Sequence, residues 1–145
     1  MPPARLRVPL AGRSMVPWLR PGDWIEVGPP PRRPRRGMVL ICLRANGRLI
    51  THRVIACRGR GAAGQVCTKG DALPYPDGWW DARAIVGQVL RVERGARRVA
   101  LDRGWYHWAG WGYSWVSPAS RWVYPVLRRL RALIRAVPGP RRPAA

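Results

Sequence analysis

Apolar and polar positions alternate in short blocks along this chain, with turn residues between them. Residues 24–27 and 38–43 are runs rich in Val, Ile, Leu and Trp, the length and composition of strands. Between them lies Pro29-Pro30-Pro31-Arg32-Arg33-Pro34-Arg35-Arg36-Gly37. Neither strand nor helix can continue through it, because each proline fixes φ and removes a donor. It is expected to be an exposed loop. Asn46-Gly47 signals a two-residue hairpin turn, since both residues tolerate positive φ. The runs 38–44 and 48–56 would then pair antiparallel. On the second run Ile50, His52, Val54 and Ala56 share one face, and Leu49, Thr51, Arg53 and Ile55 share the other. Residues 58–64 read as a Gly-rich loop and 65–68 as a short strand. Pro74, Pro76 and Gly78 set an irregular acidic turn. Residues 84–93 and 97–101 form a last strand pair around Arg94-Gly95. Many short strands between Gly and Pro turns predict a mostly-β, small barrel-like domain.

The pattern changes at Gly104. Residues 104–120 hold no charged side chain, yet they include Trp105, Trp108, Trp111 and Trp115. Gly110, Gly112, Ser114, Ser117 and Pro118 make the stretch too broken for a spanning helix. From Pro125 the pattern becomes helical: Leu127, Leu130, Leu133, Ile134 and Val137 form a stripe opposed by Arg128, Arg129, Arg131 and Arg135. The chain therefore divides into a domain at 1–103 and a region at 104–145. The second comprises a Trp-rich segment, a short basic amphipathic helix and a disordered tail.

Composition narrows the possibilities. The 145 residues suffice for one domain with a core. The 27 basic residues face seven acidic ones, for a net charge of +20, and only Lys69 among them is not arginine. So strong an arginine bias resembles GC-rich coding, yet its charge still favours salt-sensitive binding to anionic polymers and lipids. Cys42, Cys57 and Cys67 show no metal-ligand spacing and no disulfide framework. Cys42 and Cys57 lie in apolar runs and are expected as small core residues, while the sequence leaves the place of Cys67 open. Met1 to Val8 has no apolar run, so neither a signal peptide nor an anchor is expected there.

The candidate chemistry is sparse. There are two histidines, His52 and His107, and three of the seven acids, Asp71, Asp77 and Asp81, cluster in one short span. A solvated turn accounts for an isolated aspartate, and a core position accounts for an isolated histidine. A serine acting as nucleophile would need such a base, and the base an orienting acid. Three segments supply that order: Gly12-Arg13-Ser14-Met15-Val16-Pro17-Trp18-Leu19-Arg20-Pro21-Gly22-Asp23, then Thr51-His52-Arg53-Val54-Ile55, then Thr68-Lys69-Gly70-Asp71 with Asp77 beyond.

These segments resemble the ordered boxes of the signal peptidase I family, over about residues 8–93. Histidine rather than lysine at position 52 resembles the endoplasmic-reticulum and archaeal branch. The resemblance implies a small barrel-like peptidase fold and a serine endopeptidase that cuts a leader or signal peptide. It implies Ser14 as nucleophile, His52 as general base, Asp77 as orienting acid with Asp71 in support, and the Gly12 and Ser14 N–H groups as oxyanion donors. It implies no metal and no cofactor. The partner would be a peptide or preprotein. Apart from the resemblance, the tryptophans and the basic helix suit peripheral membrane contact through residues 105–137, with packing of the tryptophans back onto the domain as the alternative. The location would be membrane-associated or cytoplasmic. A Ser14–Lys69 dyad is the weaker reading, because Lys69 lies outside the base segment beside a carboxylate that would raise its pKa. A non-catalytic basic module that binds nucleic acid or a membrane surface explains the charge and the tryptophans but not the ordered segments.

Overall fold

The computed structural model describes residues 5–59 and 64–119, together with helical positions at Pro125 and Arg129. Eight strands make one antiparallel sheet: β1 (Leu6–Pro9), β2 (Trp24–Gly28), β3 (Val39–Leu43), β4 (Leu49–Arg58), β5 (Gln65–Lys69), β6 (Gly78–Asp81), β7 (Ile85–Arg94) and β8 (Arg97–Ala100). The order is β1-β2-β7-β3-β4-β5-β6, with β8 on β7. One helix, α1 (Gly104–Val116), follows.

The mostly-β expectation holds, but the sheet is not closed into a barrel. β1 and β6 end the path and do not pair with each other. The physical reason is visible in β3, where Val39 and Ile41 enter one apolar cluster with Met15, Leu19, Ile25 and Val89. Leu40 and Cys42 enter another with Val54, Val66 and Ile85. A small barrel fills a single interior, whereas this sheet buries both faces at its centre. Bulges at Glu26/Val27, Ile41/Cys42 and Val54/Ala56 let it bend around the two clusters.

The β3–β4 hairpin pairs Val39 with Arg53 and Leu43 with Leu49. Its turn is longer than the two residues expected. The Arg44 N–H donates to the Arg48 carbonyl at 2.8 Å, and only Gly47 has positive φ (78°). This makes Ala45-Asn46-Gly47 a three-residue loop with glycine at the left-handed position. Cys42 is in the core as expected, whereas Cys57 is exposed, and Cys67, left open by the sequence, is buried. Burial pushes the Cys42 thiol up to about 11.

The Trp-rich segment, expected to be too polar and too broken for a spanning helix, forms a helix of 13 residues over Gly104–Val116. Tertiary contacts outweigh its two interior glycines, Gly110 and Gly112. Tyr106 and Tyr113 pack edge-on against Trp18, and the Tyr113 hydroxyl donates to the Asp71 carbonyl at 2.9 Å. Gly110 lies directly over the Arg53 guanidinium; a Cβ there would sit 2.4 Å from Arg53 Nη1. The amphipathic helix and tail expected after 125, and the centre of the 58–64 loop, fall largely outside the described residues. Among the described residues, no helix is long and apolar enough to cross a membrane.

Candidate active site

The loop between β1 and β2 carries Ser14. Its neighbours Met15 and Leu19 are buried anchors, linked by a 2.9 Å bond from the Leu19 N–H to the Met15 carbonyl. Gly22, at φ 88°, turns the chain back, and its N–H donates to the Leu10 carbonyl. Asp23 closes the loop by accepting from the Arg20 N–H at 2.8 Å and from the Arg94 guanidinium. The hydrogen bond from Arg94 holds the Asp23 carboxyl below the ordinary aspartate range. Met15, Gly22 and Asp23 thus hold the loop that carries Ser14.

Three side chains from separate segments meet in line. His52, on β4, has Nε2 3.0 Å from Ser14 Oγ and Nδ1 2.5 Å from Asp77 Oδ2. With its proton on Nδ1, His52 donates to Asp77 and accepts the Ser14 hydroxyl. The His52 and Asp77 side chains are almost wholly buried, and Ser14 is half-buried. Asp77 is itself held. Thr68 Oγ1 donates to its Oδ2 at 2.8 Å, and Trp80 Nε1 donates to Thr68 Oγ1 at 2.8 Å. The Asp77 N–H donates to the Thr68 carbonyl at 2.9 Å, and Arg44 stands 3.5 Å from Oδ1. Each oxygen of the carboxylate therefore has a partner, which fixes the imidazole between acid and hydroxyl.

Asp71 does not reach His52 as a hydrogen-bond partner. It forms a two-pronged ion pair with Arg53, Nε to Oδ1 at 2.9 Å and Nη2 to Oδ2 at 2.8 Å, buried on both sides. Burial pushes the Asp71 carboxyl up, against the pull of Arg53. Arg53 also donates to the Gly37 carbonyl at 3.0 Å and lies over the rings of Trp18 and Tyr113. In the sequence Arg53 stands on the opposite face of its strand from His52, with no role evident from its neighbours. Its position directly after the histidine, in a strand otherwise apolar there, was the available signal.

Gly70 packs beneath the centre. A Cβ at this position would stand 2.8 Å from the Ser14 carbonyl oxygen and 3.0 Å from His52 Nε2. The Ala72 N–H donates to the same Ser14 carbonyl at 2.7 Å. Lys69 is fully buried, and its ammonium donates to Ser117 Oγ at 2.7 Å and to the Gly70 carbonyl. Desolvation lowers its pKa despite Asp71 and Asp77, so burial outweighs the neighbouring carboxylates that sequence reasoning took as dominant. Its partners are these two oxygens rather than Ser14. Among the described residues, no hydrogen bond within the chain occupies the Gly12 or Ser14 N–H. His107 lies on α1 edge-on to Trp108.

No set of three His, Cys, Asp or Glu side chains among the described residues could hold a metal ion. A cavity of about 530 Å³ lies between Arg32–Arg35 and the β4–β5 pair, bordered by Cys57, Arg58 and Gln65. None of Ser14, His52 or Asp77 lines it. The hydrogen-bonded chain, rather than this cavity, defines the candidate site. Comparison with protein-family models, with curated proteins and with solved structures finds no match.

Proposed function

We propose that the chain is a serine endopeptidase of Ser-His-Asp type, related to the signal peptidase I family, that cuts a leader or signal peptide. The observation carrying this reading is the continuous Ser14–His52–Asp77 hydrogen-bonded line, assembled from three separate segments. A lone core histidine would need one partner. This one has a half-buried hydroxyl on one nitrogen and a braced carboxylate on the other.

The chemistry follows from the partners. Ser14 Oγ attacks the peptide carbonyl as its proton passes to His52 Nε2. Asp77 stabilises the imidazolium through Nδ1–H. The carbonyl oxygen gains negative charge, and the Gly12 and Ser14 N–H groups are the proposed donors to it. His52 then returns its proton to the leaving amine, which departs and leaves an acyl-Ser14 ester. Water enters, gives a proton to His52, and attacks the ester. Collapse releases the carboxylate product and restores the Ser14 hydroxyl.

The resemblance implies a shallow pocket for Ala or Gly before the scissile bond. Peptides with Ala there should be cut, and those with Leu or Arg should not. Loss of that cleavage in Ser14→Ala would support the reading. Equal cleavage by intact chain and variant would overturn it.

A further inference from the structure

We propose that the outer face of α1 docks on anionic lipid bilayers. This inference stands apart from the catalytic reading, because it uses none of Ser14, His52 or Asp77. The helix has two unlike faces. The inner one carries Tyr106, Gly110, Tyr113 and Ser114 and is engaged with Trp18, Arg53, Asp71 and Arg36. The outer one carries Trp105, Trp108, Trp111 and Trp115, at 77 %, 65 %, 43 % and 58 % exposure. Trp108, Trp111 and Trp115 touch edge to face along the helix. Val116, 67 % exposed, adds apolar surface at the C-terminal end of the helix. An exposed apolar patch of this kind marks an interaction surface.

The chemistry of the strip selects its occupant. Indole has an apolar body and one polar N–H, which suits the headgroup boundary of a bilayer rather than its interior. The surrounding charge is mainly positive, with the exposed Asp102, two residues before the helix, the one nearby acid in the sequence. Arg103 precedes the helix, Arg36 lies 3.9 Å over the Trp115 ring, and no acidic residue occurs after Asp102. Arg121, Arg128, Arg129, Arg131 and Arg135 follow in sequence. Cations beside interfacial aromatics are drawn to anionic lipid. A second copy of the chain is a poorer occupant, because each copy brings a charge of +20. Single-stranded nucleic acid needs a basic groove that tracks its backbone, and the strip is the convex side of a helix. Trp18, through its contacts with Tyr106 and Tyr113, joins the docking helix to the loop that carries Ser14.

The test is co-sedimentation of the full chain with vesicles of phosphatidylcholine, with and without phosphatidylglycerol, at low and high salt. Binding is expected with phosphatidylglycerol and should weaken with salt. The triple variant Trp105→Gln, Trp108→Gln, Trp115→Gln should partition about tenfold less or worse, while Ser14→Ala should partition like the intact chain. Should the triple variant unfold, quenching of the intact chain's tryptophans by lipids brominated near the headgroup replaces it, and quenching is expected. Several results overturn the proposal: no vesicle binding, equal binding by a folded triple variant, or no quenching. So does a dimer that the triple substitution dissociates, or Trp-dependent binding to oligothymidylate without vesicle binding.

Discussion

Asp71 and Asp77 sit in one acidic segment but face different partners. Asp77 braces His52, whereas Asp71 neutralises a buried arginine. Their amides should therefore fail in different assays. Asp77→Asn keeps the shape but cannot stabilise the imidazolium, so peptide turnover is expected to fall by about 10⁴-fold with the unfolding midpoint little changed. Asp71→Asn leaves the Arg53 charge unmatched and should cost about 3–5 kcal/mol of stability in urea unfolding. A stable, inactive Asp71→Asn variant would exchange the two roles. Gly70→Ala places a methyl against the Ser14 carbonyl and His52. A small displacement of the nucleophile is expected to lower kcat/KM by about a hundredfold in the same peptide assay. Ser14, His52 and Asp77 were picked out through the resemblance of their segments to the signal peptidase I boxes, since taken singly each residue also fitted a turn or core position. Thr68, Trp80 and Arg53 as supports were not, because side-chain partners across strands depend on register and burial, which no local pattern carries.

At the scale of elements, the two glycines inside α1 separate packing from propensity. Gly110 faces Arg53 with no room for a Cβ, while nothing lies within 4 Å of a Cβ at Gly112. Gly110→Ala should destabilise the fold by about 1–3 kcal/mol through overpacking. Gly112→Ala should stabilise it by about 0.5–1 kcal/mol, since alanine is the better helix former. Thermal unfolding of the two variants checks both signs, and matching shifts would mean that α1 does not rest on Arg53. Strands β2, β3, β4, β5, β7 and β8 were readable within a residue or two from apolar runs and turn residues. β1 and β6 were not: the four residues of β1, Leu-Arg-Val-Pro, are too short and too mixed to stand out, and β6 (Gly78–Asp81) follows so closely on Pro74 and Pro76 that it read as part of the acidic turn. The α1 helix was missed because its evidence is tertiary. Its glycines read as breaks until Arg53 and Tyr113 are seen to hold it. The barrel expectation failed at β3, whose unbroken apolar run already fitted a strand covered on both faces.

On the scale of the whole molecule, buried ionisable groups set how stability follows pH. Lys69 has its pKa lowered by burial from the ordinary 10.5. Between the lowered value and 10.5 the folded chain has released a proton that the unfolded chain still holds. Stability from this group therefore rises with pH through that window. Cys42 acts oppositely. Its thiol, raised from 9.0 to about 11, keeps a proton that the unfolded chain loses, so its contribution falls as pH rises. Comparing Lys69→Met with the intact chain isolates the first effect. In urea unfolding across that range, the intact chain should gain stability relative to the variant as pH rises, and a pH-independent difference would mean that Lys69 is not buried as a cation.

The central claim is that Ser14 is a nucleophile activated by His52, which is in turn held by Asp77. The direct measurement is the rate of covalent labelling by a serine-directed fluorophosphonate, with the site of attachment mapped by mass spectrometry. The intact chain is expected to take up one label, on Ser14. Labelling should be absent in Ser14→Ala and slowed by orders of magnitude in His52→Ala and Asp77→Asn, while Asp81→Asn reacts at the intact rate. A folded chain that takes no label, or one labelled on Ser14 as fast without His52 as with it, would contradict the claim.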